Sequence, residues 1–80
     1  MTLNDAFSKR IMELLYKNNM SKYRLEKESG ITHSTLRNIC NSNNKDVTLS
    51  TVAKVANTLN MTLAEFFSHE VFNLANIDYE

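Results

Sequence analysis

Residues 33–41 read HSTLRNICN, and at helical spacing His33, Ser34, Arg37, Asn38 and Asn41 fall on one side. That side carries an imidazole, a hydroxyl, a guanidinium and two carboxamides, all hydrogen-bonding groups and none acidic. Leu36, Ile39 and Cys40 fall on the opposite side. A helix this short does not stand alone in water, so neighbours must hold its apolar side and leave the polar side facing out. Other chemistries find little support. Cys40 reads as a small buried hydrophobe, because nothing near it in sequence would activate a thiol. His33 and Cys40 lie seven apart and His69 is remote, short of the three or four ligands a metal site needs. One glycine rules out a glycine-rich phosphate loop, and no nucleophile, base and orienting residue assemble into a motif. Neither an enzyme nor a cofactor or metal protein is expected.

The elements that must position this face announce themselves through a recurring start signal. A Ser or Thr cap has an apolar residue just before it and another four positions after it, the hydrophobic staple. It occurs at Ser21 (Met20 with Leu25), Thr32 (Ile31 with Leu36), Thr48 (Val47 with Val52) and Thr62 (Met61 with Phe66). Glu65 adds a capping box to the last. A further helix opens the chain, capped by Thr2 or Asn4, with Leu3, Phe7, Ile11, Leu14 and Leu15 as its buried stripe. The reading is all-α, a bundle of five helices over about 4–18, 22–29, 33–41, 49–59 and 63–70. Met20, Met61, Phe66 and Phe67 belong to its core. NSNNKD, between the third and fourth helices, should be an exposed loop. Residues 1–70 form one domain, and 71–80, with Val71, Phe72, Leu74, Ile77 and Tyr79, form an extension that packs back or dimerises.

Eighty residues, 42% of them hydrophobic and 22% charged, suit one small soluble domain. A single cysteine and apolar runs of two or three residues leave no internal disulfide, secretory segment or membrane span, so a cytoplasmic protein is expected. The net charge is zero but unevenly placed. Residues 1–61 hold all nine Lys and Arg against five acids, a balance of +4, and residues 62–80 hold four acids, a balance of −4. A cationic working surface with an acidic end elsewhere fits that asymmetry, and so does an ordinary solvated surface.

Between the second and third helices stand Gly30, Ile31 and Thr32: a glycine where the chain leaves a helix left-handed, then a cap for the next. This is a helix-turn-helix. MSKYRLEKESGITHSTLRNI, followed by VTLSTVAKVANTLNMTLAEFF, resembles the phage repressor and Cro (XRE) family over about residues 7–67. Leu49, Val52, Val55, Ala56, Leu59, Met61, Leu63 and Phe66 match that family's core positions. The resemblance implies a lambda repressor-like bundle, a transcriptional regulator, and a third helix lying in the major groove of double-stranded DNA. By position it implies base-reading roles for His33, Ser34 and Asn38. Arg37 reads a guanine or clamps a phosphate. Ser21, Lys22, Thr32, Thr35, Asn41, Asn43, Asn44 and Lys45 are backbone-contact candidates. Tyr16 and Tyr23 either touch phosphate or pack beside the first helix.

The chain departs from the family pattern at four places. Lys22 replaces the usual glutamine at the start of the second helix, so its contact becomes electrostatic. Glu26 replaces a small alanine and is expected to lean out to water or widen the helix pair. Cys40-Asn41-Ser42 stands where the family often has Glu-Asn-Gly, so Asn41 is expected to take the left-handed turn that glycine normally supplies, and Asn60 replaces the Gly between the last two helices. A homodimer on a palindromic operator, acting as a repressor with no small-molecule ligand, is the leading expectation. The competing one is a protein-interaction module, such as an adaptor or antitoxin-like protein, with weak DNA affinity.

Overall fold

In the computed structural model, described for residues 1–41 and 47–78, five α-helices follow one another. They are α1 (Leu3–Lys17), α2 (Lys22–Ser29), α3 (His33–Cys40), α4 (Leu49–Thr58) and α5 (Leu63–Phe67), followed by single 3-10 turns at Glu70–Phe72 and Leu74–Asn76. Each helix starts on the expected residue type. The hydroxyls of Thr2, Ser21, Thr32, Thr48 and Thr62 accept from the backbone N–H three residues on. Thr62 and Glu65 form the expected capping box, and Thr2 forms a second with Asp5. Such caps satisfy donors that the first turn leaves unpaired. No helix among the described residues is long and apolar enough to cross a membrane.

Phe7, Ile11, Leu14, Leu15, Leu25, Ile31, Leu36, Ile39, Val52, Val55, Ala56, Leu59 and Phe66 make one continuous core. Met20, Val47, Met61, Phe67 and Phe72 close its margins, and all four staples contribute to it. α1 packs on α3 and on the first 3-10 turn; α2 packs on α3 and α4, and α4 on α5. α3 is thus held from two sides by its apolar stripe. Phe7, Phe66, Phe67 and Phe72 meet with ring centroids 5.0–6.0 Å apart, mostly edge to face.

Arg10 is a buried cation in this apolar surrounding. Its guanidinium donates to the carbonyl oxygens of Phe66 (2.8 Å) and Glu65 (3.0 Å) and to Glu13 Oε1 (2.8 Å). It thereby binds α1 to the carbonyl end of α5, where unpaired acceptors and the helix dipole favour a positive charge. On the same side, the Val71 N–H donates to His69 Nδ1 (3.0 Å), which leaves Nε2 to bond Glu13 Oε2 at 3.1 Å. Burial pushes the Glu13 carboxyl up. Hydrogen bonds from His69 and Arg10 and the charges of His69 and Lys17 outweigh it, and the carboxyl sits below its ordinary value.

Within residues 71–78, Val71 and Ile77 are buried with Ala6, and Phe72 joins them. The Asp78 N–H donates to the Met1 carbonyl at 2.8 Å. Leu74 remains 63% exposed. Several expectations need correction. Leu3, Leu49 and Leu63 are exposed at 45%, 61% and 37%, because each occupies the first helical position, at the edge of its stripe. α5 ends at Phe67 rather than residue 70, and Ser68 carries the chain into the 3-10 turns. Asn60 takes a left-handed conformation (φ 58°), but Asn41 does not (φ −95°). Tyr16 and Tyr23 are mostly exposed rather than packed beside α1, with Lys27 Nζ 5.4 Å from the Tyr23 ring centre.

Candidate nucleic-acid interface

The turn before α3 is made by local chemistry. Gly30 closes α2 at φ 77°, a left-handed conformation that a side chain would strain, and donates its N–H to the Glu26 carbonyl at 3.1 Å. Two residues on, the Thr32 hydroxyl accepts from the Thr35 N–H (3.2 Å) and donates to Thr35 Oγ1 (2.8 Å). Leu36 and Ile39 then anchor the helix in the core with essentially no exposure. At its far end the Ser8 hydroxyl donates to the Cys40 carbonyl at 2.8 Å, a bond from α1 that fixes where α3 stops. Burial pushes the Cys40 thiol up while the nearby charges of Lys22 and Arg37 act in the opposite sense.

Held this way, α3 exposes His33, Ser34 and Arg37 and half-exposes Thr35 and Asn38. Ser21 is exposed and Lys22 half-exposed at the start of α2. Thr32 and Asn41 are exposed at the two ends of α3. Neither Lys22 nor Arg37 forms an ion pair with a described residue, whereas Arg24 is paired to Glu28. Asn43, Asn44 and Lys45 lie outside the described residues, as does most of the loop expected there. Among the described residues no cluster of three or more His, Cys, Asp or Glu side chains could hold a metal ion.

Glu26 behaves differently from the expectation that it leans out to water. Its side chain is only 11% exposed, turned into the seam between α2 and α3, and Oε1 lies 2.8 Å from His33 Nδ1. Its Oε2 is buried without a hydrogen-bond partner among the described residues. The turn at residues 30–32 brings the first residue of α3 back over the middle of α2, which offers the carboxylate a partner inside the protein. No spacing rule along the sequence connects residues 26 and 33 on separate helices. The only hint was an acid where the family has alanine.

The arrangement is a short helix clamped by its apolar side, presenting donors and acceptors together with Arg37, while Lys22 at the start of α2 is a second cation with no described ion-pair partner. Such a surface fits a polyanion with hydrogen-bonding edges between its charges. No curated protein and no solved structure matches the chain at a significant level. The family profile of the Cro/C1-type HTH DNA-binding domain matches residues 10–71, which span the second half of α1, α2 to α5 and the start of the first 3-10 turn. The chain belongs to the Cro/C1-type helix-turn-helix family of DNA-binding proteins.

Proposed function

We propose that the protein is a sequence-specific transcriptional regulator that represses by occupying promoter DNA. In this reading α3 enters the major groove, with Ser34 and Asn38 on base edges, His33 beside them, and Arg37 on a guanine or a phosphate. Ser21, Lys22, Thr32, Thr35, Asn41, Asn43, Asn44 and Lys45 contact the sugar-phosphate backbone and set register. The observation that carries the reading is the exposed side of α3 itself. His33, Ser34 and Arg37 stand out from a helix whose Leu36 and Ile39 are fully committed to the core, and no acid shares that side.

One such helix reads only a few base pairs. Useful specificity therefore calls for two copies on a two-fold-symmetric operator, with half-sites about one helical turn, or about 34 Å, apart. Val71 and Ile77 are buried in their own domain, so a two-fold contact near the carboxyl end would draw on Leu74. The protein works in the cytoplasm, where its DNA is. Selection of bound duplexes from a random pool tests the whole reading. A palindromic consensus is the expected result. Recovery of no enriched sequence would overturn it in favour of a protein-interaction module on the same scaffold.

A further inference from the structure

We infer that Glu26 is a specificity-determining residue that acts through His33, holding its imidazole in one tautomer so that a single base position is read by an acceptor. This rests on the proposed DNA-reading role of α3 and deepens it. A neutral imidazole carries its hydrogen on either ring nitrogen, and the two forms present opposite chemistry to a base edge. A carboxylate only accepts, so the 2.8 Å contact between Glu26 Oε1 and Nδ1 puts the hydrogen on Nδ1. In the neutral ring Nε2 is then left with a lone pair, on an imidazole that is 68% exposed on the outer side of α3.

The carboxylate is itself constrained. With the side chain 11% exposed and Oε2 buried and unpartnered, the Glu26 carboxylate has His33 as its one hydrogen-bond partner among the described residues. Releasing the imidazole would leave a buried charge with no partner at all, a costly state. The pair therefore stays made, and the ring is fixed before any DNA arrives. In the major groove an acceptor meets its complement in the exocyclic amines of adenine and cytosine, and meets acceptors on guanine and on thymine O4. His33 accordingly selects an amino-bearing base at its position and disfavours a keto-bearing one by about tenfold. Glu26 also sets a negative charge behind the recognition helix, which lowers attraction to any duplex and so favours discrimination over bulk affinity.

The test has two arms on the full chain. Nitrogen-15 NMR of the His33 imidazole in free protein, recorded from neutral to mildly alkaline pH, reads the tautomer and the protonation state directly. The expected result is Nδ1–H for wild type and a mixture in Glu26→Gln and Glu26→Ala. Wild-type rings in the Nε2–H form, mixed, or carrying both hydrogens would overturn the inference. The second arm selects random duplexes with each protein and measures affinity for a scrambled duplex. Both variants should lose the adenine-or-cytosine preference at one position, keep the rest of the consensus, and bind scrambled DNA about twofold to fivefold more tightly. An unchanged consensus, or a uniform loss at every position, would overturn it. Melting curves confirm that both variants are folded, and alanine is the residue the family tolerates there. Should wild type bind no duplex, Glu26 selects nothing and the inference falls together with the DNA reading. The NMR arm then tells which part failed.

Discussion

Asn38→Ala separates reading a base from holding the fold. Asn38 sits two residues beyond Leu36, which is fully buried, yet it is itself half-exposed and makes no side-chain hydrogen bond with a described residue. Alanine at that position removes no core contact of note and gains up to about 0.7 kcal/mol of helix propensity. Stability should therefore stay within about 0.5 kcal/mol of wild type or rise slightly. Against the preferred operator the variant loses a paired donor and acceptor suited to adenine, worth about 1–3 kcal/mol, or about fivefold to 150-fold in affinity. No charge is deleted, so the number of counterions released is the same and the slope of log affinity against log salt is unchanged. The assay is a binding titration on the preferred and a scrambled duplex at two salt concentrations, with a thermal melt alongside. A large fall in Tm would make Asn38 a structural residue. Equal losses on both duplexes would make it a backbone contact, and unchanged binding to both would remove it from the interface.

Two further perturbations probe charge. Lys22→Ala should weaken binding to specific and scrambled duplexes by similar factors and reduce the salt slope by about one, with the selected sequence unchanged; an altered consensus would refute the phosphate role. Glu13 has a lowered pKa in the folded protein, so the stability it contributes is present above the ordinary carboxylate value of 4.5 and is lost as pH falls through the lowered one. Glu13→Gln should therefore be less stable than wild type near neutral pH and converge with it in acid, as followed by denaturant melts across that range; parallel curves would refute the account of that site.

What could be read from the sequence was local, and what could not was tertiary. The caps at Ser21, Thr32, Thr48 and Thr62 act within three residues, so their partners stand beside them in the chain. The exposed face of α3 follows from periodicity over a single helix. Arg10 and Glu26 are the opposite case. Glu13 is three residues on, but the two carbonyls that also hold Arg10 in the interior are 55 and 56 residues away, and nothing near residue 10 foretells them. Glu26 turns inward because the fold delivers His33 to it.

The asparagines make the same point. Asn19 and Asn60 are left-handed because their helices reverse tightly, with the next N–H reaching back to Leu15 and Ala56 carbonyls at 2.9 Å. Asn41 has the same intrinsic tolerance, yet it sits at φ −95° and its N–H goes to the Arg37 carbonyl at 2.9 Å, four residues back as in the helix it ends. Propensity permits a left-handed residue, and the tight reversal at Asn19 and Asn60 uses it.

Contact between DNA and the exposed side of α3 is best followed by mapping backbone amide shifts during titration with the selected duplex. The largest changes should fall on Ser21, Lys22 and residues 32–38, with α5 and the 3-10 turns nearly silent apart from any dimer contact. Changes centred on α4, α5 or Leu74, with His33 to Asn38 unmoved, would contradict it.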